Sequence, residues 1–235
     1  MKVLLTKTSK LFFLATMMLS LAATTGCDKD DDNTPPAKKY GKIAVLNGAF
    51  GVDSINFFIE NKKVNAKLIG YSDSLNYVEI LAGEPSVEIK GKDDKSLSKK
   101  SIKTSESSNY SLLVTNSTDG KTFETIQVTD DLTAPAENKA KIRLVHLSPD
   151  VNKLNLETGD TKVFENAAYK AATTYKEINA QKTTFKIVDS ESKATLATIT
   201  DLELSKGKIY TVWLSGLKET ADDKKKAQAN IFVNK

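Results

Sequence analysis

The sequence is poor in the residues that most often carry chemistry. One cysteine excludes a disulfide framework, and one histidine removes most zinc sites and most histidine-based catalysis. One arginine, Arg143, leaves forked recognition of phosphates almost without a donor, so nucleic acid is not an expected partner. Eleven glycines and five prolines leave little material for a glycine-rich phosphate loop. No cluster of aromatic residues stands out, which weighs against a glycan platform. What remains is ordinary: 235 residues, 40% hydrophobic and 27% charged, a composition that excludes wholesale disorder and fibrous structure.

The N-terminus reads as targeting. Lys2, Lys7 and Lys10 precede an apolar stretch, Leu11 to Ala23, that is shorter than the roughly 20 residues a bilayer crossing needs. Length and flanks fit a secretory signal peptide. The stretch ends Thr24-Thr25-Gly26-Cys27, with the single cysteine directly after a small residue. This resembles the lipobox of bacterial lipoproteins, with Thr24 standing where leucine is usual. The resemblance implies a signal peptide over residues 1–26 and lipidation of Cys27. Cleavage would take three lysines with it, leaving 31 basic against 30 acidic side chains, a net charge of +1 rather than +4.

Residues 27–40 then form a tether. The acidic run Asp28–Asn33 and the prolines Pro35 and Pro36 cannot bury a core. Fully extended, the segment reaches about 45 Å. The acidic run is similar to the surface-export signal that follows the lipidated cysteine in lipoproteins of the Bacteroidetes. A plain polar spacer is the alternative, and a weak calcium site a third reading.

An internal repeat organises the remainder. Lys42–Leu46 matches Lys141–Val145 at an offset of 99, and Tyr110–Val114 matches Tyr210–Leu214 at an offset of 100. Between them, Tyr77, Glu79, Ile80 and Ala82 match Tyr175, Glu177, Ile178 and Ala180. The copies are assigned to residues 41–129 and 141–235, joined by a linker over 130–140. Each reads as short strands rich in Val, Ile, Phe and Tyr. These are Ser54–Glu60, Tyr77–Leu81, Ser86–Lys90, Tyr110–Thr115 and Phe123–Val128, then Lys141–Leu147, Thr183–Val188, Ala194–Thr200, Lys208–Ser215 and Asn230–Val233. Asp119-Gly120 is a hairpin turn, and Phe164–Thr174 reads as loop or irregular strand. The pattern predicts an all-β chain with two tandem β-sandwich domains.

Val145-His146-Leu147-Ser148-Pro149-Asp150 resembles the His-x-Ser-Pro-Asp element of domain-of-unknown-function family 4397. Tyr77–Gly83 and Tyr210–Leu214 are similar to that family's strands. The first copy departs, with Asn47-Gly48-Ala49-Phe50-Gly51 in place of the element. The resemblance implies an exported, Ig-like domain and brings no known activity.

Few residues suggest chemistry. Ser148, His146 and Asp150 have the types of a nucleophile, base and orienter. His146, however, alternates with Ile142 and Leu144 and should sit at a core edge, with Ser148-Pro149-Asp150 as a turn bonding local backbone. Trp213 aligns with Leu113 in a strand apolar on both faces and reads as a core residue, not a sugar platform. Ser-x-x-Lys at Ser96, Ser190 and Ser205 lacks its companion motifs. The mixed-charge loop Gly216–Gln228 makes the second copy's last hairpin about five residues longer than the first. Asp53-Ser54-Ile55 and Asp73-Ser74-Leu75 resemble O-glycosylation acceptors of exported Bacteroidetes proteins.

The expectation is a non-catalytic envelope lipoprotein of the outer membrane, at the cell surface or else on the periplasmic face. It is held to the membrane by a lipid on Cys27 and binds a glycan or protein ligand, with no cofactor, metal or catalytic residue assigned. The alternatives are a hydrolase using carboxylates or His146, and a periplasmic scaffold.

Overall fold

The computed structural model describes residues 37–117 and 121–235. Cys27, the signal segment, the acidic run and the Asp119-Gly120 turn lie outside the described residues. Among those residues the chain is built almost wholly from strands.

One sheet of the first sandwich carries, side by side, β5 (Ser74–Leu81), β1 (Tyr40–Asn47), β8 (Asn109–Asn116) and β9 (Phe123–Thr129). Its partner carries β3 (Lys62–Lys63), β2 (Ser54–Ile59), β6 (Ser86–Gly91) and β7 (Ser96–Ser101), with β4 (Ile69–Gly70) also paired to β2. The second sandwich repeats the order. One sheet holds β13 (Lys176–Asn179), β10 (Lys139–Leu147), β16 (Ile209–Ser215) and β17 (Gln228–Val233). The other holds β12 (Thr161–Ala168), β11 (Lys153–Thr158), β14 (Lys182–Asp189) and β15 (Thr195–Glu203). The tandem sandwich expected from the repeat is therefore the fold.

In each copy the two central strands run parallel, β1 with β8 and β10 with β16. These are also the continuous apolar runs, because each is buried on both faces. Ile43 and Val45 point into the first sandwich with Leu112 and Val114, while Ala44, Leu46 and Leu113 point out of it. The outward set meets Val145, Leu147, Trp213 and Phe232 of the second copy. The chain is thus four sheets deep, with a third apolar layer between the sandwiches. Exposing such side chains costs roughly 1.5–3 kcal/mol each, which holds the copies together as one body.

Strands not anticipated from the sequence are β1, β3, β4 and β11, together with two polar ones. β7 reads Ser-Leu-Ser-Lys-Lys-Ser and β13 Lys-Glu-Ile-Asn, and both sit at sheet edges where one face stays wet. Of the two readings of Phe164–Thr174, loop or irregular strand, the structure shows the irregular strand in its first half. Phe164 pairs with Leu156 and Ala167 with Leu154, both turned into the core. Asn166 lies between them at φ 55° and absorbs a register shift, which hides the alternation. The first copy gives no hint of it, because there the same stretch breaks into β3 and β4.

Both copies point the same way. The chain enters at Tyr40, and the linker and C-terminus lie at that end, where Lys235 Nζ donates to the Leu132 carbonyl. At the other end lie the β1–β2 and β10–β11 turns and the β16–β17 hairpin. There Gly48 packs so closely on Leu147 that a Cβ would sit 2.7 Å from its Cδ1.

Candidate functional site

The His-x-Ser-Pro-Asp element is a latch. His146 is fully buried among inward-facing residues, with Tyr169 edge-on at 5.6 Å. Its Nδ1 accepts the Ser148 amide at 3.2 Å, and Nε2 lies 2.9 Å from the Val151 carbonyl, to which an N–H there donates. Burial pushes the imidazole down to about 4, so it is neutral. Both ring nitrogens are committed to backbone, so neither is placed to take a proton from Ser148. The Ser148 hydroxyl instead donates to the Gly216 carbonyl at 2.6 Å.

Asp150 reaches further than a local turn, which corrects the expectation for it. Its two carboxylate oxygens accept the Lys218 amide at 3.0 Å and the Glu219 amide at 2.9 Å. Lys218 is held a second time, its Nζ donating to Asp189 at 2.9 Å. Burial acts to raise the Asp189 carboxyl, but hydrogen bonds from Ser192, Lys218 and two backbone amides hold it well below its usual range. The root of the β16–β17 hairpin is therefore fixed from two sides.

That hairpin forms one wall of a cleft of about 620 Å³. Asp222, Lys224, Lys225 and Gln228 line it from the second copy, and Val52, Asp53 and Tyr71 from the first. The short 3₁₀ turn Asp223–Lys225 shapes the wall, with the Asp222 side chain accepting the Lys224 amide at 3.0 Å. Tyr71 joins the two copies. Its hydroxyl lies 3.5 Å from Ser215 Oγ, and a Cβ on Gly216 would come within 2.5 Å of it. Gly216 also sits at φ +90°, where only glycine is comfortable. Asp53 is held below the ordinary carboxylate range chiefly by its hydrogen bond and charge contact with Lys92, with a smaller contribution from Lys224 across the cleft. A second hollow of about 390 Å³ shares the Gly51–Asp53 ridge and continues past Lys95, Leu97 and Phe123.

Towards the opposite end, where the linker and C-terminus lie, the layer between the sandwiches holds a closed polar ring. Arg143 Nη1 meets Asp130 at 2.7 Å, and its Nε donates to Thr211 Oγ1 at 2.9 Å. Thr211 donates to Asn234, Asn234 to Tyr77 and Tyr77 to Asp130, at 2.7, 2.9 and 2.5 Å. Ser111 fills the centre, donating to Asp130 and accepting from Arg143. Arg143 also lies over the Tyr175 ring at 4.7 Å, and burial pushes the Tyr175 phenol up to about 12. The hydroxyls of Ser111, Thr211 and Tyr77 each donate one hydrogen bond and accept another. Such a network is stable only when complete.

Trp213 lies wholly inside this layer, so it presents no face to a sugar. Its indole N–H has no hydrogen-bond partner among the described residues. Ser54 is buried within β2, whereas Ser74 opens β5 partly exposed. Among the described residues, no three His, Cys, Asp or Glu side chains gather as a metal site. Of the cleft residues, Asp53 falls in the glycosylation-like Asp53-Ser54-Ile55, while Tyr71 and Gln228 carry no motif. The one sequence signal for them is the extra length of the 216–228 hairpin.

The chain belongs to the family described as Domain of unknown function (DUF4397), whose model matches residues 41–157 and 148–230. No curated protein matches it. Similar solved structures include a streptococcal virulence factor described as binding alpha-glucan, at 14% identity, TM-score 0.25 and coverage of 82% of this chain and 97% of that one. Another is the family CBM26 module of Eubacterium rectale Amy13K in complex with maltoheptaose, at 13% identity, TM-score 0.26 and coverage of 80% and 100%. A third is the Bacillus anthracis TIE protein, at 13% identity, TM-score 0.25 and coverage of 84% and 44%. Likeness at this level transfers no ligand.

Proposed function

We propose that this protein is a non-catalytic binding lipoprotein of the outer membrane, lipidated at Cys27 and exposed at the cell surface, that captures its ligand in the cleft shared by the two copies. One observation carries the reading: the chain enters the double sandwich at Tyr40, and the cleft opens at the opposite end. β1 alone runs eight residues between those ends, about 25 Å at ordinary strand rise. An anchor on the tether side therefore leaves the cleft facing outward. The turn after β1 and the hairpin after β16 stand on strands buried on both faces, a rigid base that suits recognition. The lipobox-like Gly26-Cys27 and the acidic run that follows support the anchor and the outward location.

Protease digestion of intact cells, followed with an antibody to the mature domains, tests the location. Degradation alongside an uncut periplasmic control is the expected result. Protection of the protein under the same conditions overturns surface capture and turns the search to periplasmic partners.

A further inference from the structure

Resting on the binding reading above, we infer that the ligand is an extended, neutral, hydroxyl-rich polymer, an oligosaccharide chain, lying across the Gly51–Asp53 ridge and filling the hollows on both sides of it. The two hollows share that ridge and together run across the free end of the molecule, a shape that suits a chain rather than a compact solute. Each contains one partly exposed aromatic ring, Tyr71 in the larger and Phe123 in the smaller. Rings spaced along a groove offer apolar faces to successive sugar rings.

The chemistry of the walls selects against other polymers. Backbone amides around the groove are already used: Tyr71 N–H donates to the Asp53 carbonyl, Gly91 to Lys95, and Leu217 to Lys225. An extended peptide binds mainly by pairing its own backbone with such groups at an open strand edge, whereas the larger hollow is walled mostly by turns, Gly51–Asp53, Tyr71 and Asp222–Lys225. Recognition falls instead to side chains, among them the carboxylates of Asp53 and Asp222 and the amide of Gln228. Carboxylates and amides suit hydroxyl donors. The charges along the walls largely cancel, with Asp53 paired to Lys92 and Asp222 to Lys225, while Asp93 faces Lys95 and Lys224 along the same path, and the one guanidinium is buried with Asp130, so neither a polyanion nor a polycation meets a field of one sign.

The test uses the full chain purified in detergent, with ladders of neutral gluco-, manno- and xylo-oligosaccharides from two to eight units. A peptide array and oligogalacturonates serve as competing classes. The expected result is binding of at least one neutral ladder, with affinity rising about tenfold or more as the chain becomes long enough to cross the ridge, then levelling. Phe123→Leu, which keeps the apolar packing, should remove the gain with length and leave short-chain affinity intact. Tyr71→Leu should weaken every length. A neutral ladder whose affinity ignores both length and Phe123 overturns the two-hollow inference and leaves the cleft reading standing. Binding of peptides or oligogalacturonates alone, lost in Asp53→Ala and Gln228→Ala, overturns the sugar assignment while keeping the cleft. Binding that is indifferent to Tyr71, Asp53 and Gln228 overturns the cleft reading itself.

Discussion

Asn47 and His146 occupy the same position in the two copies and accept the same hydrogen bond, from the backbone amide two residues on. Asn47 Oδ1 takes the Ala49 amide at 3.2 Å, and His146 Nδ1 takes the Ser148 amide at 3.2 Å. Each then donates to a backbone carbonyl, Asn47 to Gly70 and His146 to Val151. The first copy therefore keeps the mechanics of the His-x-Ser-Pro-Asp element while losing its letters. Asn116 completes the parallel, exchanging hydrogen bonds with the backbone of Phe50 as Ser148 bonds the carbonyl of Gly216.

The buried imidazole gives a pH signature. Its folded value is about 4 against 6.5 for the free group, because burial disfavours the cation. The neutral form is thus the native one. Its stabilising contribution is complete above pH 6.5 and is lost as pH falls towards 4, by about 3 kcal/mol in all. His146→Asn, which copies the first repeat, should flatten this slope. Urea midpoints of both proteins from pH 7.5 to 4.5 check it, and parallel slopes would contradict it.

Arg143 and Asp130 should behave as a buried pair. Removing either partner alone, as Arg143→Met or Asp130→Leu, leaves an uncompensated charge and should cost about 3–5 kcal/mol. The double variant should recover much of that loss. Equilibrium denaturation followed by Trp213 fluorescence measures all three, since the indole lies in the same layer.

The repeat and the sandwich class were legible, and so was one doubly buried central strand, because alternation fails in a telling way: Val212–Leu214 are apolar at every position. Ile43–Leu46 fails the same way, yet entered the reading only as one arm of the repeat. The polar edge strands β7 and β13 were not legible, since half-wet edges need no apolar run. Nothing in the segment read as a linker marked Asp130 as a buried ion. Its partner lies 13 positions away across a boundary between copies, and such long-range pairing leaves no local pattern. The cleft was visible only as surplus length in the hairpin.

The latch should act locally. Asp150→Ala frees the amides of Lys218 and Glu219, and hydrogen exchange over residues 217–227 should rise sharply while protection of β10, β14 and β16 stays unchanged. A rise spread through the whole second sandwich would contradict a latch.

Gly216→Ala should be worse than its size suggests. The new methyl meets the Tyr71 hydroxyl and the carbonyls of Lys225 and Lys226 at a positive φ. A cost of about 1–3 kcal/mol is expected, together with displacement of Tyr71. Thermal denaturation measures the first, and intrinsic tyrosine fluorescence the second.

The account depends most on the two walls of the cleft, one from each copy, being held at a fixed separation. Pulsed dipolar spectroscopy between nitroxides at Asp93→Cys and Ala221→Cys, in a Cys27→Ser background, measures that separation directly. A single narrow distance distribution is the result the interlocked sandwiches predict. A broad or two-peaked distribution would mean that the copies move independently, and the cleft would no longer be a preformed site.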